Sequence, residues 1–98
     1  MDKKEILSII CKQVCNYLKI DNNLFFLPAQ TPRVQEAKRY FCYLAITETG
    51  INPQIVSKYL GYRNHGADIV SNYNHRVREL IHKSRQMELD IEGIKKLL

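Results

Sequence analysis

Between residues 50 and 61 the chain reads GINPQIVSKYLG. Gly50 suits a left-handed helix C-cap, Asn52 is a strong N-cap, and Pro53 fits a first helical position. Gly61 then stops the helix that Pro53 starts. The stretch holds one short helix with Ile55, Val56, Tyr59 and Leu60 on its inner side. On either side of it, apolar residues recur at three- and four-residue spacing. Ile6, Ile9, Ile10, Val14, Tyr17 and Leu18 predict a helix over residues 3–19. Val34, Ala37, Phe41, Leu44 and Ala45 predict a second from Pro32 to Thr49. Ile69, Tyr73, Val77, Leu80 and Ile81 predict a longer helix that starts near Asn64 or a few residues later and runs to about Lys83. No segment shows sustained strand alternation. The fold class is therefore all-α, a compact helical domain spanning 1–98. Short helix, tight glycine turn and longer helix over about 52–83 have the proportions of a helix-turn-helix.

The remaining segments are less determined. Asp21 suits a cap for a short turn through Leu24 and Phe25. LFFLPAQTP (24–32) connects that turn to the helix at Pro32, and its apolar residues are expected to tuck into the core. At the C-terminus, Met87, Ile91, Ile94 and Leu98 share a helical spacing interrupted by Gly93. Residues 85–98 fit a final helix packed on the body, a dimer seam or a frayed tail. The seam would serve a homodimer or a protein partner through 86–98.

Composition narrows the class of protein. No apolar run approaches the ~18 residues of a membrane span. In MDKKEILSIICKQV, Lys12 and Gln13 break the apolar stretch and no small-residue cleavage site follows, unlike a secretory signal. A cytoplasmic protein without membrane partners is expected. The three cysteines do not suggest a disulfide framework. Cys11 and Cys15 stand four apart, but no second pair completes a metal site, so they read as small helix hydrophobes. There is no nucleophile–base set, paired-carboxylate motif or GxxxxGK[ST] phosphate loop. Neither an enzyme, a nucleotide-binding module nor a cofactor is expected.

Charge points toward a polyanion. The formal net charge is +5. Residues 33–85 hold nine Lys and Arg against four Asp and Glu, which accounts for the whole excess. Clustered positive charge favours double-stranded DNA as a partner. A recognition helix enters the major groove with its N-terminal residues against base edges, while its free N–H groups attract phosphates. Asn64 could pair with adenine N6 and N7, and His65 could reach a base acceptor or pack on a thymine methyl. Gly66 and Ala67 remove bulk, letting the backbone approach the groove. Arg63, Lys58, Arg33, Lys38 and Arg76 are candidates for backbone contacts, which fix register and carry affinity. Each residue also has a plainer role. Asn64 suits the N-cap of the following helix, His65 a surface or cap-packing position, and the cations ordinary solvated charges. Tyr40, Tyr43, Tyr59, Tyr62 and Tyr73 could stack on single-stranded bases, but at helical spacing they suit core packing better.

Four segments, VCNYLKI (14–20), EAKRYFCYLA (36–45), INPQIVSKYLG (51–61) and GYRNH (61–65), follow one another with nearly gap-free spacing from 37 to 65. In that order they resemble the C-terminal DNA-binding domain of DnaA, the bacterial replication initiator. The resemblance implies a Trp-repressor-like helix-turn-helix fold and duplex DNA binding, in replication initiation or transcription regulation. It implies base readout by Lys38, where the family has a minor-groove arginine, and by Asn64, His65, Gly66 and Ala67. Asn64-His65 stands where the family has Asp-His, and Gly66-Ala67 where it has two threonines. The lost hydroxyls mean that the resemblance does not carry over the family's target, the DnaA box. They also leave a second expectation, a helical protein–protein interaction module that has lost DNA reading.

Overall fold

Most helices of the chain begin on a recognisable capping device, described here for residues 2–28 and 31–98 of a computed structural model. Helix α1 spans Lys3–Leu18, α2 Asn22–Phe25, α3 Pro32–Thr47, α4 Pro53–Leu60, α5 Gly66–Leu80 and α6 Arg85–Leu97. No strand occurs among the described residues, so the chain is all-α. Five helices start on a side-chain cap: Asp2, Asp21, Thr31, Asn52 and Ser84 each accept a backbone N–H from the first turn. Helix α5 is the exception, with His65 at its N-cap and no side-chain cap bond.

The helix ends explain the turns. At Gly61 (φ 80°) the chain turns left-handed, and the Gly61 and Tyr62 N–H groups donate to Lys58 O and Ser57 O. This is the glycine-terminated closure expected of α4. Lys19 closes α1 in the same way, with φ 59° and without the freedom of a glycine. Gly50 lies three residues past the end of α3, where its N–H donates to Ile46 O and that of Ile51 to Ala45 O.

Helix α3 is the spine, packed on α5 and α1 and touched by α2 and α4. Its expected stripe of Val34, Ala37, Phe41, Leu44 and Ala45 is buried, together with Lys38, Tyr40 and Cys42. Phe25 meets Phe41 edge to face at 5.4 Å, and Phe41 stacks on Tyr59 at 5.6 Å, so an aromatic run joins α2, α3 and α4. The Cα radius of gyration is 12.2 Å, against about 13 Å for a compact chain of 100 residues.

Helix α6 packs on the body. Ile91 and Ile94 are buried in the chain's own core, and Met87 packs against it. The Asp90 carboxylate accepts from Tyr17 Oη on α1 (3.2 Å), Tyr40 Oη on α3 (3.1 Å) and Gln86 Nε2 (2.9 Å). Burial, with Glu36 and Asp90 nearby, raises the Tyr40 hydroxyl above its ordinary pKa of 10.0 and keeps it a donor. Gly93 does not interrupt the helix: a Cβ there would lie 2.5 Å from the Tyr17 ring, so glycine leaves room for that ring where it lies. The expected seam of Met87, Ile91, Ile94 and Leu98 is therefore occupied within the molecule, except for Leu98.

Three other expectations are corrected. In α1 the buried face is Leu7, Ile10, Cys11, Val14, Cys15 and Leu18, while Ile9 faces solvent. In α5 it is Gly66, Val70, Asn74 and Val77, with Ile69, Tyr73, Leu80 and Ile81 only half-buried. In the connection after α2, Phe25 alone enters the core, whereas Leu24, Phe26 and Leu27 are about half exposed (49%, 44% and 52%). Ala29 and Gln30 of that connection lie outside the described residues. No helix among the described residues is long and apolar enough to cross a membrane.

Candidate functional site

The turn between α4 and α5 builds an open groove of about 430 Å³. Its geometry starts with Gly66, the first residue of α5. A Cβ on Gly66 would overlap Ser57 Oγ and lie 2.8 Å from Tyr62 Cβ. The missing side chain lets the first turn of α5 rest directly on α4. Tyr62 fills the elbow, and burial, with the Tyr73 hydroxyl beside it, raises its hydroxyl above the ordinary 10.0. The chain reaches Gly66 through His65 in the left-handed region, φ 54°, a conformation that histidine adopts more readily than most side chains.

Around this elbow the polar groups point outward. Lys58, Arg63, His65 and Gln54 line the groove. Lys58, Arg63 and His65 are all exposed. The N-terminus of α5 opens into the same space without a capping side chain, leaving first-turn N–H groups and the positive end of the helix dipole toward it. Among the described residues Asp68 is the one carboxylate lining the groove. It stands 3.9 Å from His65 Nδ1, and both side chains are over four-fifths exposed. Ala67 lines the groove half-buried, and Asn64 lies exposed at its approach.

The expected site is thus assembled only in part. Lys58, Arg63, His65, Gly66 and Ala67 come together. Gly66 is buried, and its missing side chain serves the packing of α5 on α4. Asn64 is not the cap of α5, because His65 occupies that position. Arg76 is exposed on α5, about 15 Å along the helix from Gly66 at 1.5 Å per residue, and does not line the groove.

Lys38 is corrected outright, and Arg33 lies away from the groove. Arg33 donates from Nε (3.2 Å) and Nη2 (3.0 Å) to Leu18 O, closing the C-terminal end of α1. Lys38 is 3% exposed, and its Nζ donates to Leu27 O at 2.7 Å. Burial lowers its ammonium pKa from the ordinary 10.5. Neither cation faces the groove. Gln54, Ser57 and Asp68 were missed as lining residues. Gln54 lies four residues before Lys58, and that spacing puts both on one helix face.

The three cysteines are free and buried. Burial pushes the Cys42 thiol from 9.0 up to about 12, which disfavours its thiolate at neutral pH. Among the described residues no group of three or more His, Cys, Asp or Glu is placed to hold a metal ion. The chain matches no protein-family model, no curated protein and no solved structure.

Proposed function

We propose that the chain binds double-stranded DNA, with α4, the Gly61 turn and α5 acting as a helix-turn-helix of the kind its resemblance to the DnaA C-terminal domain implies. One observation carries this: Lys58, Arg63, His65 and the uncapped start of α5 share a single open groove. A backbone phosphate there would meet two cations and the helix N–H groups together. Asn64, His65 and Ala67 lead α5 toward base edges. Asp68 repels a phosphate at its own position, but an exposed carboxylate in the first turn can accept from cytosine N4. Arg76 would reach the backbone farther along α5. Because Lys38 is buried, the proposal has no minor-groove reader, and a target different from the DnaA box follows. Such binding fits a role in replication initiation or transcription regulation without ATP-driven steps of the chain's own.

Fluorescence anisotropy of a labelled duplex tests this. A DnaA-box duplex and a scrambled duplex of equal length are titrated at several salt concentrations with the wild type, Arg63→Ala and His65→Ala. Salt-dependent binding weakened by Arg63→Ala is expected. A sequence preference reduced by His65→Ala would assign base reading to that residue. No binding to either duplex at low salt would overturn the proposal.

A further inference from the structure

A second groove, of about 470 Å³, runs between α1 and α4. Its lining is chemically different from the first. Leu7, Phe26, Ile55 and Tyr59 line it, with Lys4 and Lys58 as its charged lining among the described residues. The Phe26 ring is held in place, 5.2 Å from Phe25 edge to face and 5.6 Å from Tyr59. It is nevertheless 44% exposed, with Leu24 and Leu27 also exposed in the same segment. An apolar trough with an anchored aromatic wall and lysine charges is complementary to one kind of ligand: an amphipathic helix with carboxylates flanking its apolar stripe. A bilayer offers a broad, flat surface that does not enter a trough. DNA offers no apolar face to fill one.

We infer that this groove docks an acidic amphipathic helix of a partner protein. Aliphatic side chains at i and i+4 enter between Phe26, Ile55 and Tyr59. Asp or Glu on the flanks of the helix pairs with Lys4 and Lys58. Lys58 lines both grooves, so the docked helix takes a cation from the α4–α5 groove and competes with DNA there. The competition rests on the DNA-binding proposal; the docking does not.

The test pans a displayed library of randomised helical peptides on the full chain, with counter-selection on Phe26→Ala. Enriched peptides are then made and titrated directly against wild type, Phe26→Ala and Lys4→Glu, each first checked for its helical circular dichroism. The expected result is enrichment of aliphatic i, i+4 pairs flanked by Asp or Glu. Affinity should fall about tenfold or more in each variant, as for loss of an interface anchor. Duplex binding by Phe26→Ala should match wild type, and the peptide should displace the duplex. No enrichment, peptides without carboxylates, or equal affinity for Phe26→Ala would overturn the inference. So would self-association abolished by Phe26→Ala in sedimentation velocity, which would give the groove to a second copy. If peptides bind as expected but no duplex does, the docking site stands and the DNA-binding proposal falls.

Discussion

Two pairs of cations in this chain look alike in sequence and behave in opposite ways. Arg33 and Lys38 on α3 each donate to the backbone carbonyl of a leucine, Leu18 and Leu27 respectively, Lys38 from a buried position and Arg33 from an exposed one. Lys58 and Arg63, at either side of the Gly61 turn, stay exposed along one groove. What separates the pairs is the neighbourhood of acceptors. The end of α1 and the connection after α2 present carbonyls without helical partners, and α3 passes beside both. Arg33 and Lys38 are the donors within reach. The Gly61 turn is closed by the same kind of backbone bonds as the end of α1, yet among the described residues Lys58 and Arg63 donate to no carbonyl, whereas Arg33 and Lys38 do. A cation there is left for solvent or a ligand.

The largest test of this contrast is charge reversal at the buried position. Lys38→Glu would put a carboxylate against Leu27 O with no donor, at a cost of about 3–5 kcal/mol for an uncompensated buried charge. Urea denaturation measures it; a loss under 1 kcal/mol would mean that position 38 readily swings out to water. Lys38 also gives a pH signature. Its folded pKa lies below the unfolded 10.5, so the unfolded chain holds that proton to higher pH. Stability from this residue is lost as pH falls through the folded value and is restored as pH rises toward 10.5. The wild type should therefore gain on Lys38→Met as pH rises through that window, in paired denaturation curves.

Gly66→Ala comes next. The added methyl meets Ser57 and Tyr62, and overpacking of this kind costs about 1–3 kcal/mol. The same change should weaken duplex binding, since it pushes the start of α5 off α4. Stability unchanged with binding lost would instead give Gly66 a direct part in the interface. Arg33→Ala should cost about 1 kcal/mol, the typical worth of a hydrogen bond. Its duplex affinity should keep the wild-type salt slope, because its guanidinium already serves Leu18 O. A reduced slope would place Arg33 on DNA and erase the contrast with Arg63.

Much of this scaffold was legible in the sequence because its signals are local. Thr31-Pro32, Asn52-Pro53 and Gly61 mark helix ends through backbone chemistry that needs no tertiary context. The stripe on α3 followed from spacing alone. What escaped depends on what lies across the fold. No periodicity says that Gly93 receives Tyr17, or that Asp90 meets two tyrosines from α1 and α3. On α5 Val77 was read correctly, but Ile69 and Tyr73 stand one position before the buried Val70 and Asn74, because the stripe includes Gly66 and Asn74, which hydrophobicity does not mark. Phe26 was assigned to the core because it is apolar, yet Phe25 already fills the place beside Phe41. The groove residues divide along the same line. His65 and Arg63 stood out by their place before a helix and Gln54 shares a helix face with Lys58, whereas Ser57 joins the site only through the packing of α4 on α5.

The smallest effect on stability is expected where the effect on binding should be clearest. Lys58→Ala and Arg63→Ala remove exposed side chains, and surface substitutions of that kind stay within about 0.5 kcal/mol. If each cation neutralises one phosphate, each substitution should lower the slope of log affinity against log salt by about 1, uniformly across DNA sequences. The double variant should lower it by about 2, with denaturation unchanged. Anisotropy titrations of one duplex across a salt series give all four slopes. Two separate losses would place both cations on the DNA backbone, the opposite outcome to Arg33 and Lys38. A loss at Arg63 alone would assign Lys58 to the neighbouring apolar groove, leaving the two grooves to act independently.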